Sequence, residues 1–395
     1  MPLTTEELRE FRAVTRSFVR DRLQPLEHAM DAEDRLPDRT WQELAAASVE
    51  LGLWTANMAE ASGGPGLTLG ELSSLWEEFG HTAWPFTYLL GRPHATLAKC
   101  TPEQRKKYLD PLVSRQAQYC FAVTEPGAGS DVAAMRTTAK QVHGGFVING
   151  VKHFITHGGD ADFVILFAVT DRKEGQRKPE MTAFLVDRGT AGFTVGGKQD
   201  MMGWRGLHEH ELIFEDCFVP DDQVLGEQGE GMRLAMAGIA QRRLNMAAFS
   251  CGMMDRLITL SHEYAQNRVV FGEALTRKQG IQWMLAEMEA LRFSARATTF
   301  RVCELCDEAR ASGMDDFTLA GQLAKEVAVA KLVATQALGR VADMAVQIFG
   351  GMGWSKENPV ERMFRDARIL RIVDGTDEVQ KGIVFRNLTG RRDIA

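Results

Sequence analysis

No stretch of this 395-residue sequence stays apolar for the ~20 residues that a membrane-spanning helix needs, so no membrane span is expected. Nor does the N-terminus, Met1-Pro2-Leu3-Thr4-Thr5-Glu6-Glu7, have the basic and then apolar character of a signal peptide. It is too acidic for a transit peptide, and the expected compartment is the cytoplasm. Basic charge is in deficit: 46 Lys and Arg face 53 Asp and Glu, for a net charge of -7. A nucleic-acid partner wants a basic surface, so none is expected. The six cysteines (Cys100, Cys120, Cys217, Cys251, Cys303 and Cys306) are scattered and suggest no disulfide framework in a chain this long. Cys303-x-x-Cys306 has metal or redox spacing, but with no second pair nearby it reads as a buried pair on a helix. Proline is missing from Pro220 to Pro359, which leaves room for long helices. What is present is ordinary: 45% hydrophobic and 25% charged residues, enough for two or three cores.

The texture changes twice along the chain. Residues 1–119 read as helical. Thr5 before two glutamates suggests an N-cap, and Leu8, Phe11, Val14, Phe18 and Val19 follow at helical spacing. Gly63-Gly64-Pro65-Gly66 breaks the pattern, a further helix fits Thr68 to Gly80, and Thr101-Pro102-Glu103 looks like a helix start with Pro at the first position. Residues 120–230 read as strands. Asn149-Gly150 between two apolar runs predicts a hairpin, and further strands fit Phe163–Val169, Thr182–Val186, Phe193–Val195 and Glu211–Phe214. Six to eight short strands of this kind predict an antiparallel barrel or sandwich. Residues 231–395 read as long helices over about 233–266, 278–311, 317–349 and 377–390, as in a four-helix bundle. The fold expected is α+β: helical domain, β domain, helical bundle.

Two regions carry chemistry. Phe121-Ala122-Val123-Thr124-Glu125-Pro126-Gly127-Ala128-Gly129-Ser130-Asp131 is a Gly/Pro-rich loop after a strand, where small residues let backbone amides approach a ligand. The alternative is a tight connection and nothing more. The second region is Gln347-Ile348-Phe349-Gly350-Gly351-Met352-Gly353-Trp354, followed by Pro359 to Arg368 and then Ile372-Val373-Asp374-Gly375-Thr376-Asp377-Glu378-Val379. Gly350-Gly351 ends a long helix, and Asp374-Gly375-Thr376 is a turn before another. Thr376 can cap that helix, with Asp377 and Glu378 in its first turn. A carboxylate on a glycine turn at a helix start can face a ligand, though Asp before Gly is also a common turn residue. His208 and His210, at i and i+2 on a strand, share a side, but no third ligand with matching spacing follows; buried or interface histidines and no metal are expected. Met201, Met202 and Trp204 read as core or pocket wall.

Together these segments resemble the signature regions of the acyl-CoA dehydrogenase family, in the same domain order and over essentially the whole chain. The resemblance implies FAD as cofactor and a homodimer or a homotetramer built as a dimer of dimers. Phe121, Val123, Thr124, Gly129 and Ser130 match the loop that contacts the flavin and the thioester end of CoA. Phe154 and Thr156 match residues that pack on the isoalloxazine and reach flavin N5. Arg268, Phe271 and Gln279 match residues on the pyrophosphate and adenine side of FAD. Gln347, Gly350 and Gly351 match a segment that reaches the neighbouring subunit's FAD. Thr376 and Glu378 match contacts to its ADP portion, and Ser130, Arg243 and Gly375 match substrate contacts.

Asp374 matches the catalytic base, which is Glu in most of the family. A minority carries the base on the first bundle helix, one residue before a conserved arginine. That position here is Arg242, which cannot act as a base. The resemblance is therefore to an aspartate-bearing branch, with Gly206-Leu207-His208-Glu209-His210-Glu211 also similar to it. The implied reaction takes the α-proton of an acyl-CoA onto Asp374 and the β-hydride onto flavin N5. The oxyanion would be held by a ribityl hydroxyl and the Asp374 N–H, and an electron-transfer flavoprotein would accept the electrons, as in fatty acid β-oxidation. The alternative is a relative of nitroalkane oxidase, in which an Asp deprotonates the carbon beside a nitro group.

Overall fold

The computed structural model describes residues 2–172 and 179–389. They divide into two compact units: residues up to Leu90 with Met202–Gly206 and everything from Ile239 on, and Gly91–Met201 with Leu207–Gly238. None of the described helices is long and apolar enough to cross a membrane.

The first unit opens with α1 (Thr5–Phe18), α2 (Glu27–Glu33), α3 (Asp38–Glu50) and α4 (Leu69–Phe79). Thr4, not Thr5, caps α1: its hydroxyl accepts from Glu7 N while the Glu7 side chain accepts from Thr4 N. The expectation was one residue late because the reciprocal pair needs its acid three positions on, and only Thr4 has one. Thr68 and Glu71 cap α4 in the same way, and the Asp307 carboxylate accepts from Leu69 N and Gly70 N at 2.7 and 2.9 Å. α4 is buried nearly all round. Its two interior acids take arginines: Arg12 and Arg16 reach Glu78, and Arg296 reaches Glu77.

The long helices follow: α5 (Gly231–Asn267), α6 (Gln279–Ala311), α7 (Asp316–Gln322), α8 (Ala324–Phe349), α9 (Val360–Ile369) and α10 (Asp377–Thr389). One helix was expected over 317–349. It is interrupted at Leu323, whose ψ of 19° leaves the helical well. The last helix was expected to 390, a residue outside those described. α8 packs on α6, α9 and α10. α4 and α5 touch backbone to backbone: a Cβ at Gly252 would stand 1.8 Å from Glu77 O, and one at Gly80 would stand 2.3 Å from Phe249 O. Cys303 and Cys306 are both buried on α6.

The second unit holds an eight-stranded sheet. Its strands are β1 (Tyr119–Ala122), β2 (Thr138–Val142), β3 (Gly145–Thr156), β4 (Phe163–Asp171), β5 (Glu180–Asp187), β6 (Phe193–Gln199), β7 (Glu209–Pro220) and β8 (Val224–Leu225). The order is β6-β7-β3-β2-β4-β5-β8, with β1 on β4. Pairing is antiparallel except that β4 runs parallel to β1 and β2. β4 is buried from Phe163 to Val169, as suits a continuous apolar run. The core gathers Phe146, Ile148, Leu166, Phe184, Leu212 and Phe214.

Asn149-Gly150 is not a hairpin turn. Both residues lie inside the continuous β3, at a bulge where register slips against β7. Asn149 there exchanges two hydrogen bonds with Asp216, while a Cβ at Gly150 would meet Thr137 at 2.5 Å. The hairpin turns instead at His143-Gly144, with Gly144 at φ 80°. Glycine in a strand marks either a turn or a bulge, and the flanking apolar runs do not distinguish them.

Candidate active site

The second unit presents two adjoining segments. Phe121, the last residue but one of β1, has its ring stacked on His94 at 4.4 Å. The chain then enters a tight loop closed by Glu125 and Ala128, which exchange backbone hydrogen bonds at 3.1 Å. Beneath it lies a pair that the motif did not reveal. Lys152, fully buried, donates to Val123 O and to the Glu125 carboxylate, each at 2.9 Å. Glu125 also accepts from Arg136 N and Thr137 N. Burial pushes the Lys152 amine down to about 8, against the pull of Glu125. The loop is thus fixed from below. Above it the backbone is bare: a Cβ at Gly127 or Gly129 would meet nothing, and Ser130 is exposed.

Across from this loop, Thr124 O accepts from His153 N at 2.9 Å, tying it to β3. Phe154 stands at φ 56° with its ring half exposed, and His157 stands at φ 61°. A left-handed conformation at two non-glycine residues costs about 1–2 kcal/mol each, and such strain clusters at ligand sites. Thr156, between them, donates its hydroxyl to the Glu209 carboxylate at 2.9 Å. His210 packs over Gly159, where a Cβ would fall 2.6 Å from its ring.

The first unit holds Asp374. Its φ is 53° and that of Gly375 is 97°, so two successive residues are left-handed. A Cβ at Gly375 would meet Gln380 Nε2 at 2.8 Å and Arg243 Nη2 at 3.1 Å, so glycine is required. Three donors converge on the carbonyls of this turn. Arg243 Nε donates to Asp374 O at 2.9 Å, Lys331 Nζ to Gly375 O at 2.8 Å, and Gln380 Nε2 to both at 3.3 and 2.9 Å. Burial lowers the proton affinity of Arg243 and pushes Lys331 down to about 8, with Asp374 opposing both shifts. The Asp374 carboxylate accepts from Arg242 Nε at 2.9 Å. The residue at the alternative base position thus holds the base candidate itself. Thr376 caps α10, accepting from Val379 N at 3.3 Å, and the buried Asp377 takes Arg371 and Gln336. Among the described residues the Asp374 N–H has no acceptor.

Lys331 and Gln380 were missed. Lys331 had a signal: it is the one charge in Val327-Ala328-Val329-Ala330-Lys331-Leu332-Val333-Ala334 on a buried helix face. Gln380 had none. Arg243, Gly375, Thr376 and Glu378 lie together around Asp374. Arg268, Phe271 and Gln279 lie together elsewhere, at the hairpin of β9 (Val269–Val270) and β10 (Glu273–Ala274) between α5 and α6. Phe271 is almost wholly exposed. Gln347, Gly350 and Gly351 close α8, whose Phe349 ring stacks on Tyr264 of α5 at 4.2 Å. These two groups therefore share the C-terminal end of α5. A Cβ at Gly272, Gly280, Gly350 or Gly351 would meet nothing. Open space at the expected contacts Gly129, Gly350 and Gly351, with Gln380 Oε1 and Asn245 Oδ1 buried and lacking a hydrogen-bond partner, fits a ligand rich in donors and acceptors such as FAD.

The second unit thus holds a strained aromatic beside a glycine loop, and the first holds a carboxylate on a pinned left-handed turn. Models of the N-terminal, middle and C-terminal domains of acyl-CoA dehydrogenase match residues 5–116, 120–217 and 229–389. The mitochondrial short-chain specific acyl-CoA dehydrogenase of Sus scrofa is 34% identical, covering 98% of this chain and 91% of its own. Butyryl-CoA dehydrogenase from Megasphaera elsdenii is 32% identical with a TM-score of 0.85, covering 98% of this chain and 99% of its own. An FAD complex of PigA is 26% identical with a TM-score of 0.87, covering 98% of both. The chain belongs to the acyl-CoA dehydrogenase family, an oxidoreductase family of FAD-binding flavoproteins.

Proposed function

We propose that this chain oxidises an acyl-CoA thioester to the trans-2-enoyl-CoA, with Asp374 removing the α-proton. The observation that carries the reading is the Asp374 turn. A partly buried carboxylate is kept in a strained conformation by three donors to the carbonyls of its turn, Asp374 O and Gly375 O, and by one to its side chain, which is how a base is fixed in place. Arg242 occupies Oδ2, so Oδ1 is the oxygen free to take a proton. The unengaged Asp374 N–H is the donor for the thioester oxyanion, whose charge develops as the α-proton leaves. Arg243 orients the turn through the Asp374 carbonyl and stands beside Gly375 at the substrate. FAD, when bound, supplies the two-electron hydride acceptor. Phe121, Val123, Thr124, Gly129, Ser130, Phe154 and Thr156 would hold its isoalloxazine and the adjoining thioester.

Thr376 and Glu378 would meet the ADP portion. Arg268, Phe271, Gln279, Gln347, Gly350 and Gly351 would hold the FAD of a second subunit. Arg243 lies in the first half of α5 and Arg268 just past its C-terminal end, 25 residues on, which is about 37 Å at 1.5 Å per residue, farther than one dinucleotide reaches from the base. Phe271, Trp283, Phe293 and Trp354 are also large apolar side chains left 65–96% exposed, as expected of a homodimer or tetramer face. An electron-transfer flavoprotein would then reoxidise the cofactor.

The test is anaerobic bleaching of the flavin by a panel of acyl-CoAs. Bleaching by at least one acyl-CoA, with formation of the enoyl product, is expected. Oxygen consumption with nitroalkanes and no bleaching by any thioester would instead assign the chain to nitroalkane-oxidase-like chemistry.

A further inference from the structure

Thr156 and Glu209 stand directly opposite each other on the paired strands β3 and β7, so their side chains share a face. Glu209 is only 6% exposed. A carboxylate is costly to bury, and here it accepts the Thr156 hydroxyl proton at 2.9 Å. A threonine hydroxyl has one proton and two lone pairs. With the proton committed to Glu209, Thr156 can offer only lone pairs to whatever lies on its other side. That side is the ligand face: Thr156 is partly exposed and flanked by Phe154 and His157, both left-handed.

We infer that Glu209 fixes Thr156 as a hydrogen-bond acceptor toward the bound flavin, and so biases the cofactor toward its reduced form. The inference rests on the reading that Thr156 faces flavin N5. Oxidised N5 carries a lone pair and wants a donor. The hydride that leaves Cβ brings two electrons and the hydrogen that N5 carries afterwards, and that N–H wants an acceptor. A Thr156 oxygen held open by Glu209 matches the second state and opposes the first. Glu209 is thus a positioning residue acting through Thr156.

The sign separates this from a simple charge effect. Removing a carboxylate charge near a flavin eases its reduction. Removing the acceptor frees Thr156 to donate to oxidised N5 and hinders reduction. Glu209→Met is expected to shift the bound flavin's equilibrium about fivefold toward the oxidised form, on the order of 20 mV for a two-electron couple in which tenfold is about 30 mV. Glu209→Gln retains an acceptor of the same shape and should stay within about twofold of the unsubstituted protein. In a Thr156→Val background, Glu209→Met should add no further shift.

Dye-coupled anaerobic titration of the FAD-loaded unsubstituted protein and these four variants reads this directly. A rise in potential in Glu209→Met, the same fall in the Thr156→Val background, or a shift above fivefold in Glu209→Gln would overturn the inference. If Thr156→Val alone leaves both the potential and the visible flavin spectrum unchanged, Thr156 does not face the flavin. In that case the underlying reading fails, and the inference with it. Should Glu209→Met not fold, the Glu209→Gln and Thr156→Val results still decide the matter.

Discussion

Replacing Lys331 by methionine should slow flavin reduction with little effect on folding. Lys331 has no exposed surface, and its amine donates to Gly375 O at 2.8 Å. The left-handed conformation of Asp374 costs about 1–2 kcal/mol. A hydrogen bond from a charged donor contributes about 1.5–3 kcal/mol, enough to offset that strain. Without it, Arg243 and Gln380 still hold the turn, so no carbonyl is orphaned, but the left-handed conformer is no longer favoured decisively. A carboxylate displaced by about 1 Å loses roughly a hundredfold in rate. The expected fall in the limiting rate of flavin reduction is therefore about 10- to 100-fold. KM and FAD content should change little, because Lys331 touches neither ligand in this account. Stability should be nearly unaffected, since methionine also relieves the burial that pushes the lysine down to about 8. Stopped-flow absorbance at saturating acyl-CoA measures the rate. Reduction at the unsubstituted rate, or a rate loss matched by equal loss of FAD, would refute the claim that this amine positions the base.

Asp374→Glu extends the carboxylate by one methylene, about 1.5 Å, and should raise reduction by straight-chain acyl-CoAs if the base is merely shortened; a loss on every acyl-CoA tested would show that the turn is set for Asp. Stability should fall as pH rises above about 9. Burial pushes all six thiols up to about 11 or 12, so between pH 9 and 11 the folded chain keeps protons that the unfolded chain releases, and each thiol then costs stability. Lys152 and Lys331, lowered to about 8, act in the opposite sense from pH 8 to 10.5, but they are two against six. Urea midpoints at pH 8.5 and 10 under reducing conditions check this, and a higher midpoint at pH 10 would contradict it.

Much of the fold is legible in the sequence because helix and strand periods differ. Long proline-free segments mark α5, α6 and α8, and the strand runs from Phe163 and Thr182 fall inside β4 and β5. What is not legible are choices made by tertiary partners. Asn149-Gly150 carries the chemistry of a turn, yet β7 runs alongside and makes it a bulge. The candidate site divides in the same way. Motif residues such as Asp374, Gly375 and Ser130 are readable because they sit on glycine turns. Their supports are not: Lys152, Glu209 and Lys331 come from distant segments and Gln380 from the helix that follows, and each acts through only one or two hydrogen bonds. Arg242 is the instructive case. Sequence shows only that it cannot be a base, whereas the structure shows it bonded to the residue proposed as one.

The most direct test of that proposal is Asp374→Asn. Asparagine tolerates the left-handed conformation, so the turn should survive with FAD and acyl-CoA still bound. The account predicts a loss of at least about a hundredfold in the single-turnover rate of flavin reduction, the scale of a missing general base. Reduction at the unsubstituted rate would show that Asp374 does not take the α-proton.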